Sequence, residues 1–121
     1  MAGAARVTAA EHALEKVTQV PGVRGALLIS ADDGLVVAER LMEGIDGRAV
    51  AALSASLVQR LGRATAGAGL QSPSFVHLRG VAGSVLAAPG REDLVMVAVA
   101  DPEVNLGRVR IEMLDAVGRL G

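Results

Sequence analysis

The chain has no cysteine, no tryptophan and no tyrosine, and its one aromatic residue is Phe75. Without cysteine there are no disulfides, no thiol nucleophiles and no cysteine-ligated zinc. A single aromatic ring offers no stacking platform of the kind that holds single-stranded nucleic acid. Neither sign of charge is in excess: 12 basic residues face 13 acidic ones, a formal net charge of −1. No Lys/Arg block stands out, so phosphate backbones and anionic membranes are not expected partners. No apolar run reaches the roughly 18 residues that point to a membrane span, and the first residues lack a signal-peptide core. The expected location is cytoplasmic.

What is present is aliphatic. Hydrophobic residues make up 51% of the 121 positions, mostly Ala, Val and Leu, far above disordered compositions. That length fits one domain, 1–121, able to bury a core without disulfides or metal.

The apolar segments have a readable order. Thr8 and Glu11 have capping-box spacing, and Val7, Ala10, Leu14 and Val17 then form one helical stripe that Pro21-Gly22 ends. Ala26-Leu27-Leu28-Ile29 is apolar at successive positions, which predicts a strand inside a sheet. Asp32-Asp33-Gly34 predicts a tight hairpin turn into Leu35–Ala38, with Glu39 and Arg40 leading out to solvent. Asp46 can cap a long helix reaching Ala66, with Gly67 and Gly69 to stop it. Its stripe Val50, Leu53, Leu57, Leu61 and Ala64 suits packing on a sheet.

The remaining segments predict three strands and a helix. Ser74–Arg79 alternates, with Val76 and Leu78 facing one way and Phe75, His77 and Arg79 the other, as an outer strand would. Ser84–Ala88 and the very apolar Leu94–Ala100 follow. Asp101-Pro102 then reads as the start of a last helix. Three consecutive strands suit an antiparallel meander, so the prediction is α-β-β-α-β-β-β-α with helices on both faces of one sheet.

No pattern supplies reaction chemistry. Gly62 and Gly67 have phosphate-loop spacing, but Ala68 and Gly69 stand where Lys and Ser/Thr are required. Gly67-Ala68-Gly69 fails as a dinucleotide fingerprint, since Ser72 takes the last Gly position. The Asp32-Asp33-Gly34 segment lacks alternating oxygen ligands for calcium. His12 and His77 have no spaced partner for metal binding or base catalysis, and Gly83-Ser84 lacks the second Gly of a nucleophile elbow. The expectation is a non-enzyme with no cofactor, no metal and no catalytic residue.

Two surfaces look unfinished. The side of the middle helix opposite its stripe carries Arg48, Ala52, Ala55, Gln59 and Arg63, with small residues where a solvated face usually carries charge. Small residues there either let a second helix approach or simply reflect alanine's helix propensity. The strand Phe75–Arg79 presents unpaired amides and carbonyls, which must be blunted or used for pairing.

Val20-Pro21-Gly22-Val23-Arg24-Gly25-Ala26, Asp32-Asp33-Gly34-Leu35-Val36, Val97-Ala98-Val99-Ala100-Asp101 and Asn105-Leu106-Gly107-Arg108-Val109-Arg110 together resemble the roadblock/LC7 family. That family takes in dynein light chains and bacterial regulators of Ras-like GTPases, and the likeness runs from about Val7 to Leu120. The resemblance implies an α+β, profilin-like fold: a five-stranded antiparallel sheet with the middle helix on one face and the terminal helices on the other. It also implies a homodimer in which third strands pair edge to edge and middle helices pack together. Arg48, Ala52, Ala55, Gln59, Arg63, Phe75, His77 and Arg79 are then the candidate dimer or partner residues. The implied partner is a Ras-like small GTPase, whose GTP hydrolysis some relatives accelerate. In some regulators a segment beyond the final helix also touches the GTPase; the sequence ends at Gly121, which puts that contribution in doubt. The alternatives are a small-molecule sensor domain, disfavoured by the scarcity of aromatic and polar pocket residues, and a structural scaffold subunit unrelated to GTPases.

Overall fold

The computed structural model describes residues 2–120, with side chains from Thr8 to Leu120. Its elements follow the expected order: α1 (Ala2–Thr18), β1 (Val23–Ser30), β2 (Val36–Leu41), α2 (Gly47–Gly67), β3 (Val76–Arg79), β4 (Ser84–Pro89), β5 (Leu94–Ala100) and α3 (Leu106–Arg119). The strands form one antiparallel sheet in the order β2-β1-β5-β4-β3. The most apolar segment takes the centre. Val95, Met96, Val97 and Ala98 are at most 1% exposed, so β5 is covered on both faces.

Strand alternation divides the core in two. Leu27, Val97 and Ala87 stand abreast on β1, β5 and β4, on the face that α2 covers. Leu28, Met96 and Ala88 stand abreast on the opposite face, in one cluster with Leu14 and Val17 of α1 and Val109 and Met113 of α3. The middle helix therefore lies on one face and the terminal helices on the other. Each Leu or Ile withdrawn from water in this way contributes roughly 1.5–3 kcal/mol.

Three local readings need correction. α1 starts at Ala2, so Thr8 lies within the helix and does not cap it; the alanine-rich start has enough intrinsic helix propensity to extend it. Ala10, Leu14 and Val17 are buried as predicted, while the side chain of Val7 lies outside the described residues. β2 starts at Val36 and continues through the exposed Glu39 and Arg40 to Leu41. Its loop is held by the Asp33 carboxylate, which accepts from the Leu35 amide, and by Gly34 in the left-handed region. α3 starts at Leu106, and its cap is Asn105, whose side chain accepts from the Arg108 amide at 3.1 Å. Asp101-Pro102 instead opens a turn in which the Val104 amide donates to the Asp101 carbonyl. Asp then Pro is also the preferred start of a type I turn, so the same dipeptide serves either structure.

The cap of α2 is as expected: the Asp46 carboxylate accepts from the Ala49 amide at 3.1 Å. After α1, Gly22 adopts φ +93° against Val104, which couples the end of the first helix to the approach to the last.

Candidate interaction surface

α2 is seated on the sheet by its small residues. Ala51, Ser54 and Ala55 are buried, and the two alanines pack in one cluster with Leu27, Ile29, Val95 and Val97. The leucine stripe predicted to fill this contact is not its centre. Large side chains already stand on that face of the sheet, and layers interdigitate when large positions on one side meet small ones on the other. Ala55, only 5% exposed, is therefore a core residue and is removed from the candidate surface.

The helix is turned by about a quarter relative to that prediction. One flank faces the β1–β2 loop: the Gln59 amide donates to the Ala31 and Asp32 carbonyls, and Ala52 lies beside Gly34. Arg48 and Arg63 share this flank by helical periodicity and are exposed. The opposite flank carries the displaced leucines, with Leu53 49% exposed and Leu57 and Leu61 half-buried.

β3 is an edge strand, paired only with β4. Its alternation is as predicted. Val76 joins the cluster under α2, whereas Phe75 packs against the cluster on the other face, beneath the Arg110 guanidinium at 5.7 Å from the ring centre. His77 Nε2 shares a hydrogen bond of 2.8 Å with Ser84 Oγ, and Arg79 is exposed. Leu78 stands abreast of Val85 and Val99 at the same corner of the sheet as Val76 and remains 45% exposed.

The eight predicted residues are thus not brought together. Arg48, Ala52, Gln59 and Arg63 lie on one flank of α2, Ala55 is inside, and Phe75, His77 and Arg79 lie across the sheet. What the sequence reading missed is the exposure of Leu53, Leu57 and Leu61 along one flank of α2, on the same side of the sheet as Val76 of the free β3 edge. The leucine spacing was visible in the sequence, and the missing element was the bulk of the strands facing the helix. No group of three or more His, Asp or Glu is placed to hold a metal among the described residues. Nor is any helix among them long and apolar enough to cross a membrane.

These features define a class: a small three-layer α+β domain with an apolar helix flank and a free strand edge. Residues 9–100 match the Roadblock/LC7 domain, and the chain belongs to that family. It is similar to uncharacterized protein MJ0714 of Methanocaldococcus jannaschii, 27% identical over 110 residues that span 91% of this chain and 92% of that protein. Among solved structures it is similar to Myxococcus xanthus MglB, with a TM-score of 0.84 at 20% identity over 93% of this chain and 85% of that one. It is also similar to MglB with a tetrameric arrangement, with a TM-score of 0.81 at 23% identity over 92% and 84% of the two chains. These structural likenesses establish a shared fold.

Proposed function

We propose that the chain is a homodimeric, non-enzymatic regulator or scaffold that binds a Ras-like small GTPase and stimulates its GTP hydrolysis. The observation that carries this reading is a pair of unfinished features on one side of the sheet, the half-exposed leucine flank of α2 and the free edge of β3. A half-exposed leucine row and an unpaired strand edge leave two kinds of unmet demand, apolar and hydrogen-bonding. A second copy meets both at once when β3 pairs with β3 and α2 packs against α2. A stable contact of this kind buries on the order of 1,000 Å² or more in total. Family membership and the likeness to MglB structures, one of them in a tetrameric arrangement, support self-association as the starting point.

Joining two copies through the leucine flank leaves the other flank of α2, with Arg48, Ala52 and Arg63, open to the GTPase. Binding there stabilises the catalytic arrangement of the GTPase itself, so this chain supplies no reacting group. The test is sedimentation velocity on the protein alone, then phosphate release from a GTP-loaded Ras-like GTPase of the same organism with and without it. A dimer that binds the GTP form and speeds phosphate release is the expected result. Binding without acceleration would reduce the protein to a scaffold; failure to bind any GTPase of that organism would end the reading.

A further inference from the structure

A second apolar surface lies across the sheet from α2, at the β2 edge. A groove of about 690 Å³ runs between α1 and β2, lined by Leu14, Leu28, Ala38, Leu94 and Leu120. It continues along the same seam into a recess of about 330 Å³ beside Glu15, Arg40 and Met42. Strand β2 pairs only with β1, so its outer side is free. The Met42 amide donates to the Arg24 carbonyl, and by antiparallel alternation Arg40 and Ala38 also bond inward. Glu39 and Leu41 then turn their amides and carbonyls to the open side. At the other end, a register shift leaves Val37 bulged and 56% exposed on the rim.

The groove is acidic on balance, with Glu11, Glu39 and Glu92 against Arg119, itself paired with Asp115, whereas the recess sets Glu15 beside Arg24 and Arg40. Glu11 lines the groove and Glu15 the recess, and neither is in an ion pair among the described residues. Glu92 also lines the groove, from a turn with φ 56°, where glycine would sit without strain. A helix laid in this seam would leave the outward groups of Glu39 and Leu41 unmatched, whereas an extended chain pairs with them.

We propose that this seam receives an extended segment of a partner protein, added alongside Glu39–Leu41. The segment places one large apolar side chain over Leu14 and Leu28 and a neighbouring Lys or Arg against Glu11. The site is separate from the α2 leucine flank and does not depend on the GTPase reading. With both in use, the protein links partners at opposite edges of its sheet.

A phage-displayed library of linear seven-residue peptides, selected on the full chain, tests the proposal. Selected peptides should share an apolar residue near a basic one. Their affinity should fall at least tenfold on Ala38→Phe, which fills the groove, and on Glu11→Lys, which reverses the charge of its wall. Glu11 is exposed, so the second variant keeps its thermal midpoint and remains decisive if the first fails to fold. The proposal is overturned by no enrichment, by enrichment without that pattern, or by undiminished binding to Glu11→Lys. Peptides lost only on Leu57→Arg, which alters the other surface, overturn it as well.

Discussion

At Ala55 the backbone of α2 comes down onto a layer of leucine, isoleucine and valine, and a methyl group is all the space accepts. Ala55→Glu should place a carboxylate there with no counter-charge, at a cost on the order of 3–5 kcal/mol. The expected result is a large drop in the urea midpoint, measured by far-UV circular dichroism; a midpoint equal to the parent's would mean that this face of α2 is not seated on the sheet. The preceding residue, Ser54, is 1% exposed and its hydroxyl has no partner. An unsatisfied buried hydroxyl costs about 1–3 kcal/mol, so Ser54→Ala should raise stability by roughly 1 kcal/mol. Calorimetry showing a lower melting point for Ser54→Ala would reveal a hydrogen bond to that hydroxyl. Single residues were the least legible scale in the sequence. Ala55 reads as surface or core depending on a quarter turn of the helix, and only the strand side chains opposite it decide between them.

Among the elements, the strands and hairpin were legible because their signals are local. Leu94–Ala100 announces a central strand by unbroken apolarity, Gly34 announces a turn, and Asp46 announces a helix start. The ends of α1 and α3 were less legible, since alanine extends a helix without a distinct start signal and Asp-Pro opens turns as readily as helices. The candidate site was half legible: the β3 edge was anticipated, while the leucine flank was assigned to the interior. That flank yields a prediction about α2 as a unit. Leu57 is only half-buried in one copy, so Leu57→Arg should leave the melting temperature within a few degrees of the parent's. In a dimer the same arginine enters an apolar contact, and a penalty of about 4 kcal/mol weakens association roughly a thousandfold. Sedimentation should find a folded single copy, and an undiminished dimer would move the interface elsewhere.

For the whole molecule, the sheet order matters beyond the surfaces it displays. β5 is the last strand in the chain yet lies between β1 and β4. Before it is in place, β1–β2 and β3–β4 are two separate hairpins, and a lone hairpin is marginal in water. A chain ending at residue 93 should therefore show no cooperative thermal transition and be cut rapidly by protease; a sharp melt for that fragment would contradict this. The same arrangement bears on synthesis. While the ribosome is still making Leu94–Ala100, the earlier strands have no keystone between them, and the nascent polypeptide stays open and sticky until that segment emerges. Pairing across such long separations along the chain also slows folding. Cells making this protein thus face their greatest aggregation hazard in the interval before the keystone segment leaves the ribosome.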